Sequence, residues 1–77
     1  MPHVVVKLWP GNSAEQKSEL TKAIVRDVTR ILRCGEGSVS VAIEEIASGD
    51  WTEQVFKPDI LDKWPTLTKE PGYGAKP

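Results

Sequence analysis

The stretch HVVVKLWPGNSAEQKSELTKAIVRDVTRILRCGEGSVSVAIEEI, residues 3–46, decides the fold, and its middle is the plainest part. Ser13 followed by Gln16 has the form of a capping box, in which the serine hydroxyl takes the Gln16 backbone N–H and the Gln16 side chain reaches back. Leu20, Ile24, Val28, Ile31 and Leu32 follow at spacings of four, four, three and one, which puts them on one helical face. Glu15, Lys17, Glu19, Lys22, Arg26 and Arg30 lie largely off that face. Arg30 and Arg33 suit the negative end of the helix dipole, and Gly35 is expected to supply a left-handed stop. The pattern predicts a helix of about six turns.

On either side of the helix the period changes from 3.6 to 2. Residues 3–9 are β-branched and end at Pro10-Gly11, so they read as a strand, with Val4, Val6 and Leu8 on one face and Val5, Lys7 and Trp9 on the other. Residues 38–46, SVSVAIEEI, alternate as a second strand with Val39, Val41 and Ile43 on one face. Strand, amphipathic helix and strand make a βαβ unit, whose crossover is expected to be right-handed and whose strands parallel. Two parallel strands do not make a stable sheet alone, so a partner chain is expected to complete it.

Beyond Ser48-Gly49, Asp50-Trp51-Thr52-Glu53 has the look of another capped start, opening a short helix that carries Trp51, Val55 and Phe56 as far as Lys57. Pro58 is placed to open a second short helix through Ile60, Leu61 and Trp64, which Trp64-Pro65 then breaks. The closing KEPGYGAKP, residues 69–77, is expected to be irregular.

Seventy-seven residues make one small domain, 1–77. A chain this short buries only about 60% of its unfolded surface. Cys34 is the only cysteine, which excludes an internal disulfide, and with one histidine, His3, it does not supply a zinc set. No cofactor or metal is implied. Oligomerisation is left as the source of extra burial, and a homo-oligomer is expected. Net charge is −1 with the signs interspersed, so no basic stripe points to nucleic acid. The apolar runs fall far short of the roughly 20 residues needed to span a bilayer, and no charged segment followed by an apolar one reads as a secretory signal. With the lone thiol, this gives a cytoplasmic expectation.

Pro2 is the candidate for chemistry. Initiator methionine is trimmed efficiently only ahead of a small residue, and proline qualifies. Trimming Met1 would leave a basic, nucleophilic secondary amine with almost no conformational freedom at the head of a strand. The plainer alternative is a strand-opening proline, which is well tolerated there.

Pro2, the βαβ unit and the Gly11-x-Ser13-x-Glu15-Gln16-Lys17 helix start together resemble the 4-oxalocrotonate tautomerase superfamily, from Pro2 to about Trp51. Pro2-His3 with Lys7 and Pro10, the helical C-terminus and Lys69-Glu70-Pro71-Gly72-Tyr73 are similar to its dimeric bacterial PptA branch, and this extends the resemblance over nearly the whole chain. The resemblance implies a tautomerase-type α/β fold, a sheet completed by oligomerisation, most simply a homodimer, and a processed proline as catalytic base. Two arginines that bind a dicarboxylate in the hexameric type member are replaced here by Asn12 and Ser40. The resemblance matches Trp51 to the family's aromatic wall and Trp9 to its apolar strand-end residue. An apolar lining of that kind suits a monocarboxylate enol such as an arylpyruvate.

The implied activity is keto–enol isomerisation, with Pro2 kept neutral by burial against Trp51 and Phe56. Enolate charge would be held by a backbone N–H, an ordered water, Asn12 or Ser40. Each residue also has a structural reading: Trp51 as core or interface filler, Trp9 as interface packing, His3 as a surface or hydrogen-bonded group, Asn12 as a turn residue, Ser40 as a solvent-side strand residue. Two other functions stay open. One is hydration or dehalogenation of an unsaturated acid, with Glu44 or Glu53 activating water. The other is a non-catalytic oligomeric module, if Met1 is retained.

Overall fold

Ser13 opens the long helix by the reciprocal bonds its sequence predicts. In the computed structural model, which describes residues 1–77, Ser13 Oγ accepts the Gln16 N–H at 3.1 Å and Gln16 Oε1 accepts the Ser13 N–H at 2.9 Å. The helix, α1, spans Ala14–Leu32. Gly11, at φ 129°, turns the chain into it from strand β1, His3–Leu8. Strand β2, Ser40–Glu45, runs parallel to β1 in a ladder from His3 opposite Ser40 to Leu8 opposite Glu45. A short 3₁₀ turn at Glu36–Ser38 delays β2 by two residues relative to the alternation in the sequence.

The chain gathers into two compact units, Met1–Glu45 and Ile46–Pro77. In the first, α1 packs along β2. The half-buried side chains of α1 include Lys17, Thr21, Ile24 and Val28, a stripe at spacings of four, three and four. Leu20, Ile31 and Leu32, expected on the packed face, are 40%, 62% and 61% exposed. The apolar stripe is therefore wider than one two-stranded sheet can cover. The left-handed stop also moves: Arg33 takes φ 55° and ψ 54°, while Gly35 is extended at φ −76°. With Arg33 so turned, the Cys34 N–H folds back to the Thr29 carbonyl at 3.3 Å and closes the last turn before Gly35 is reached.

The second unit holds a π-helix at Thr52–Leu61 between short 3₁₀ turns at Ser48–Asp50 and Trp64–Thr66. Pro58 sits inside this helix rather than opening a new one. Proline lacks the N–H for an i→i−4 bond and its ring crowds the carbonyl four residues back. A wider turn, as in the Asp62 N–H bond to the Lys57 carbonyl at 3.0 Å, accommodates both. The expected side-chain cap ahead of Trp51 does not form. Val55 and Phe56, on this helix, are the two buried apolar side chains. The closing residues are irregular, as expected. No helix is long and apolar enough to cross a membrane.

Candidate active site

Pro2 stands immediately ahead of β1, where a residue without an N–H costs the ladder nothing. Its carbonyl accepts the Ser40 backbone N–H at 3.1 Å, so the opening rung of the parallel ladder ties it to β2. The side chains beside it also meet, with His3 Nδ1 and Ser40 Oγ 2.6 Å apart. The hydroxyl donates to a neutral Nδ1 or accepts from a protonated one, and in both cases Ser40 is engaged on both of its polar sides. Ser40 is thus exposed but partnered, and His3 is hydrogen-bonded rather than free. Met1 is fully exposed.

Asn12 and Trp9 lie at the other end of β1, roughly 20 Å from Pro2 at the ordinary rise of a strand. Asn12 Nδ2 donates to Gln16 Oε1 over a long 3.4 Å. Together with Leu8, Gln16, Lys17 and Leu20 it lines an open hollow of about 190 Å³. The Lys17 ammonium in that wall is held by Glu45 Oε2 at 2.8 Å, which ties α1 to the end of β2. Trp9 is 57% exposed. Within one protomer, then, β1 brings Pro2 and Ser40 together and keeps Asn12 and Trp9 apart from them.

Trp51 and Phe56 belong to the second unit, where a residue left in the irregular tail joins them. Trp51 Nε1 donates to Tyr73 Oη at 3.1 Å, and the Tyr73 ring packs against Phe56 with centroids 5.7 Å apart at 39°. Gly74, at φ 77°, lies so close beneath the Phe56 ring that a Cβ there would collide with it. The signal in the sequence was the aromatic between two glycines, Gly72-Tyr73-Gly74. It marks a backbone that must approach a ring closely. Of the acids considered for activating water, Glu53 is paired with Lys57 at 2.6 Å and Glu44 is exposed.

The sequence profile of the family described as "Tautomerase enzyme" matches residues 2–55. This chain belongs to the tautomerase family. A probable tautomerase of Xylella fastidiosa (strain 9a5c) is 39% identical over 74 residues, covering 96% of this chain and 90% of the relative. Tautomerase PptA of Enterobacter sp. (strain 638) is 38% identical over 74 residues, covering 95% and 97%. A solved structure, YwhB, a homologue of 4-oxalocrotonate tautomerase, agrees with a TM-score of 0.58 at 33% identity, over 60% of this chain and 75% of that one. The βαβ unit is accordingly a tautomerase fold and the protein an isomerase. The matched span of this tautomerase begins at Pro2 and takes in Trp9, Asn12, Ser40 and Trp51, with Phe56 one residue beyond.

Proposed function

We propose that the enzyme moves a proton between the enol oxygen and the adjacent carbon of a small 2-keto acid of arylpyruvate type, with Pro2 as general base once Met1 has been removed. The observation that carries this reading is the seat of Pro2: its carbonyl is tied to Ser40, while Met1 ahead of it is fully exposed. A trimming enzyme reaches the Met1–Pro2 bond without disturbing the strand, and the nitrogen it frees belongs to a residue already fixed in place.

The base must be neutral to accept a proton. Ordinary α-amino groups titrate at about 7.7–8.0, and an apolar surround favours the uncharged form. The proline nitrogen takes the enol O–H proton and returns it to carbon, and the carbonyl forms as the proton leaves oxygen. Positioned acid–base groups of this sort contribute about 10²–10⁴-fold. The transient negative charge on oxygen needs a donor. Ser40 has its N–H on Pro2 and its hydroxyl on His3, and contributes by seating the base. Asn12 holds only the long bond to Gln16, so its amide is the side chain assigned to the enolate or carboxylate.

Because Asn12 and Trp9 are roughly a strand length from Pro2, a second copy of the chain supplies them. The open edges of a two-stranded sheet and exposed Val5, Trp9, Leu20, Ile31 and Leu32 support a homodimer. Trp51 provides the apolar contact that an aromatic substrate seeks, with Phe56, buried beneath Tyr73, supporting it from behind rather than touching substrate, and the chain works over 1–77 as one tautomerase domain.

The test is ketonisation of phenylpyruvate enol by wild type and Pro2→Ala, with intact-mass analysis confirming that Met1 is absent from both. Loss of at least about a hundred-fold in kcat/KM is expected for the variant. Equal rates would remove Pro2 from the mechanism.

A further inference from the structure

The geometry points to Tyr73 as a positioning residue that fixes the Trp51 indole by taking its N–H, and so sets the preference for an aromatic over an aliphatic keto acid; this deepens the arylpyruvate reading and rests on it. Three features of the second unit build the seat. Trp51 Nε1 donates to Tyr73 Oη at 3.1 Å. The Tyr73 ring lies against Phe56, whose own ring is 9% exposed and so cannot move aside freely. Gly74 brings the backbone to the Phe56 ring at a distance no side chain permits and at φ 77°, which favours glycine. Phe56 therefore anchors the tail, Gly74 sets its depth, and Tyr73 presents an oxygen to Trp51.

An indole has one polar atom, a donor. With that donor bonded to Tyr73, the surface Trp51 offers a substrate is apolar and held at one angle. Ring-to-ring contact depends on offset and tilt, so an aromatic acid gains from a fixed indole. A short aliphatic acid gains little, because it has no ring to align.

Tyr73→Phe tests this while keeping the ring contact with Phe56. One neutral hydrogen bond corresponds to roughly a five-fold change in an equilibrium. KM for phenylpyruvate enol is expected to rise about that much with kcat within two-fold, and KM for an aliphatic 2-keto acid enol to stay put. The Trp51 indole proton, assigned in the NMR spectrum by its disappearance in Trp51→Phe, is expected to move upfield. Repeating Tyr73→Phe in the Trp51→Phe background is expected to change KM no further, whereas a purely structural role for Tyr73 would persist there.

Gly74→Ala, which unseats the tail by another route, is expected to reproduce the KM shift. A rise in KM for both acids alike, an additive double variant, or an unmoved indole proton overturns the inference. If instead Trp51→Ala leaves KM for phenylpyruvate unchanged, the arylpyruvate reading itself falls, and Tyr73 falls with it.

Discussion

His3 and Ser40 are joined twice, as Cα partners at the start of the parallel ladder and through an Nδ1–Oγ contact of 2.6 Å. Ser40 also gives its backbone N–H to Pro2, so one residue of β2 restrains two consecutive residues at the head of β1. The bond to Pro2 does not depend on the serine side chain. Ser40→Ala is therefore expected to cost about 0.5–1 kcal/mol in urea unfolding. Keto–enol turnover should stay within about three-fold of wild type, because Pro2, the proposed base, keeps its seat. A fall beyond ten-fold would mean that the hydroxyl itself meets the substrate.

Val5 is 43% exposed, on the strand face opposite Val4 and Val6. In an isolated protomer a lysine there keeps its ammonium in water. In a homodimer that covers this face it brings like charges together or buries one. Val5→Lys is expected to shift sedimentation velocity from dimer towards monomer. A variant that associates as tightly as wild type places the interface on another surface.

Arg33 holds the left-handed conformation that closes α1, at a cost of about 1–2 kcal/mol for a side-chain-bearing residue. Glycine adopts it freely but loses more entropy on folding. Arg33→Gly is accordingly expected to stabilise by a net 0.5–1 kcal/mol or so, a rise of a few degrees in Tm by calorimetry. An unchanged or lowered Tm would show that the Arg33 side chain stabilises the end of the helix by other means.

Asp27 faces Arg26 Nε at 3.3 Å and Arg30 Nη2 at 3.4 Å. The hydrogen bond from Arg26, then that from Arg30, holds its carboxyl below the ordinary range. A carboxyl depressed in the folded state stabilises that state above its unfolded pKa, and the contribution is lost as pH falls through the folded value. All three groups lie in water, so the effect is small and fades with salt. On acidification below about pH 4, wild type is expected to lose more stability than Asp27→Asn at low ionic strength, and equally at high. Parallel stability curves at both salt levels would contradict the pairing.

The βαβ unit was legible because period 2, then 3.6, then 2 leaves few ways to bury those faces, and the Ser13–Gln16 bonds follow from local sequence alone. The side of α1 that meets the sheet was less legible. Leu20 has the greater hydrophobicity, but Thr21 takes the half-buried place and satisfies its hydroxyl on the Lys17 carbonyl at 3.0 Å. Composition cannot separate side chains that cover the sheet from those left to a neighbour. Pro58 misled because a proline normally punctuates a helix, and nothing local announces an i→i+5 turn that absorbs it. The candidate site divides in the same way. Pro2 stood out from position and chemistry, whereas Tyr73 owes its place on Phe56 and Trp51 to contacts spanning many residues, which no periodicity encodes.

Val55 and Phe56 are the only side chains this polypeptide buries by itself, the rest of its apolar residues being half-buried or exposed. If the proposed second copy covers the rest, heat resistance becomes a matter of dose: dilution should denature the protein much as warming does, and the melting point should climb with concentration. Scarcity alone would then switch the catalyst off.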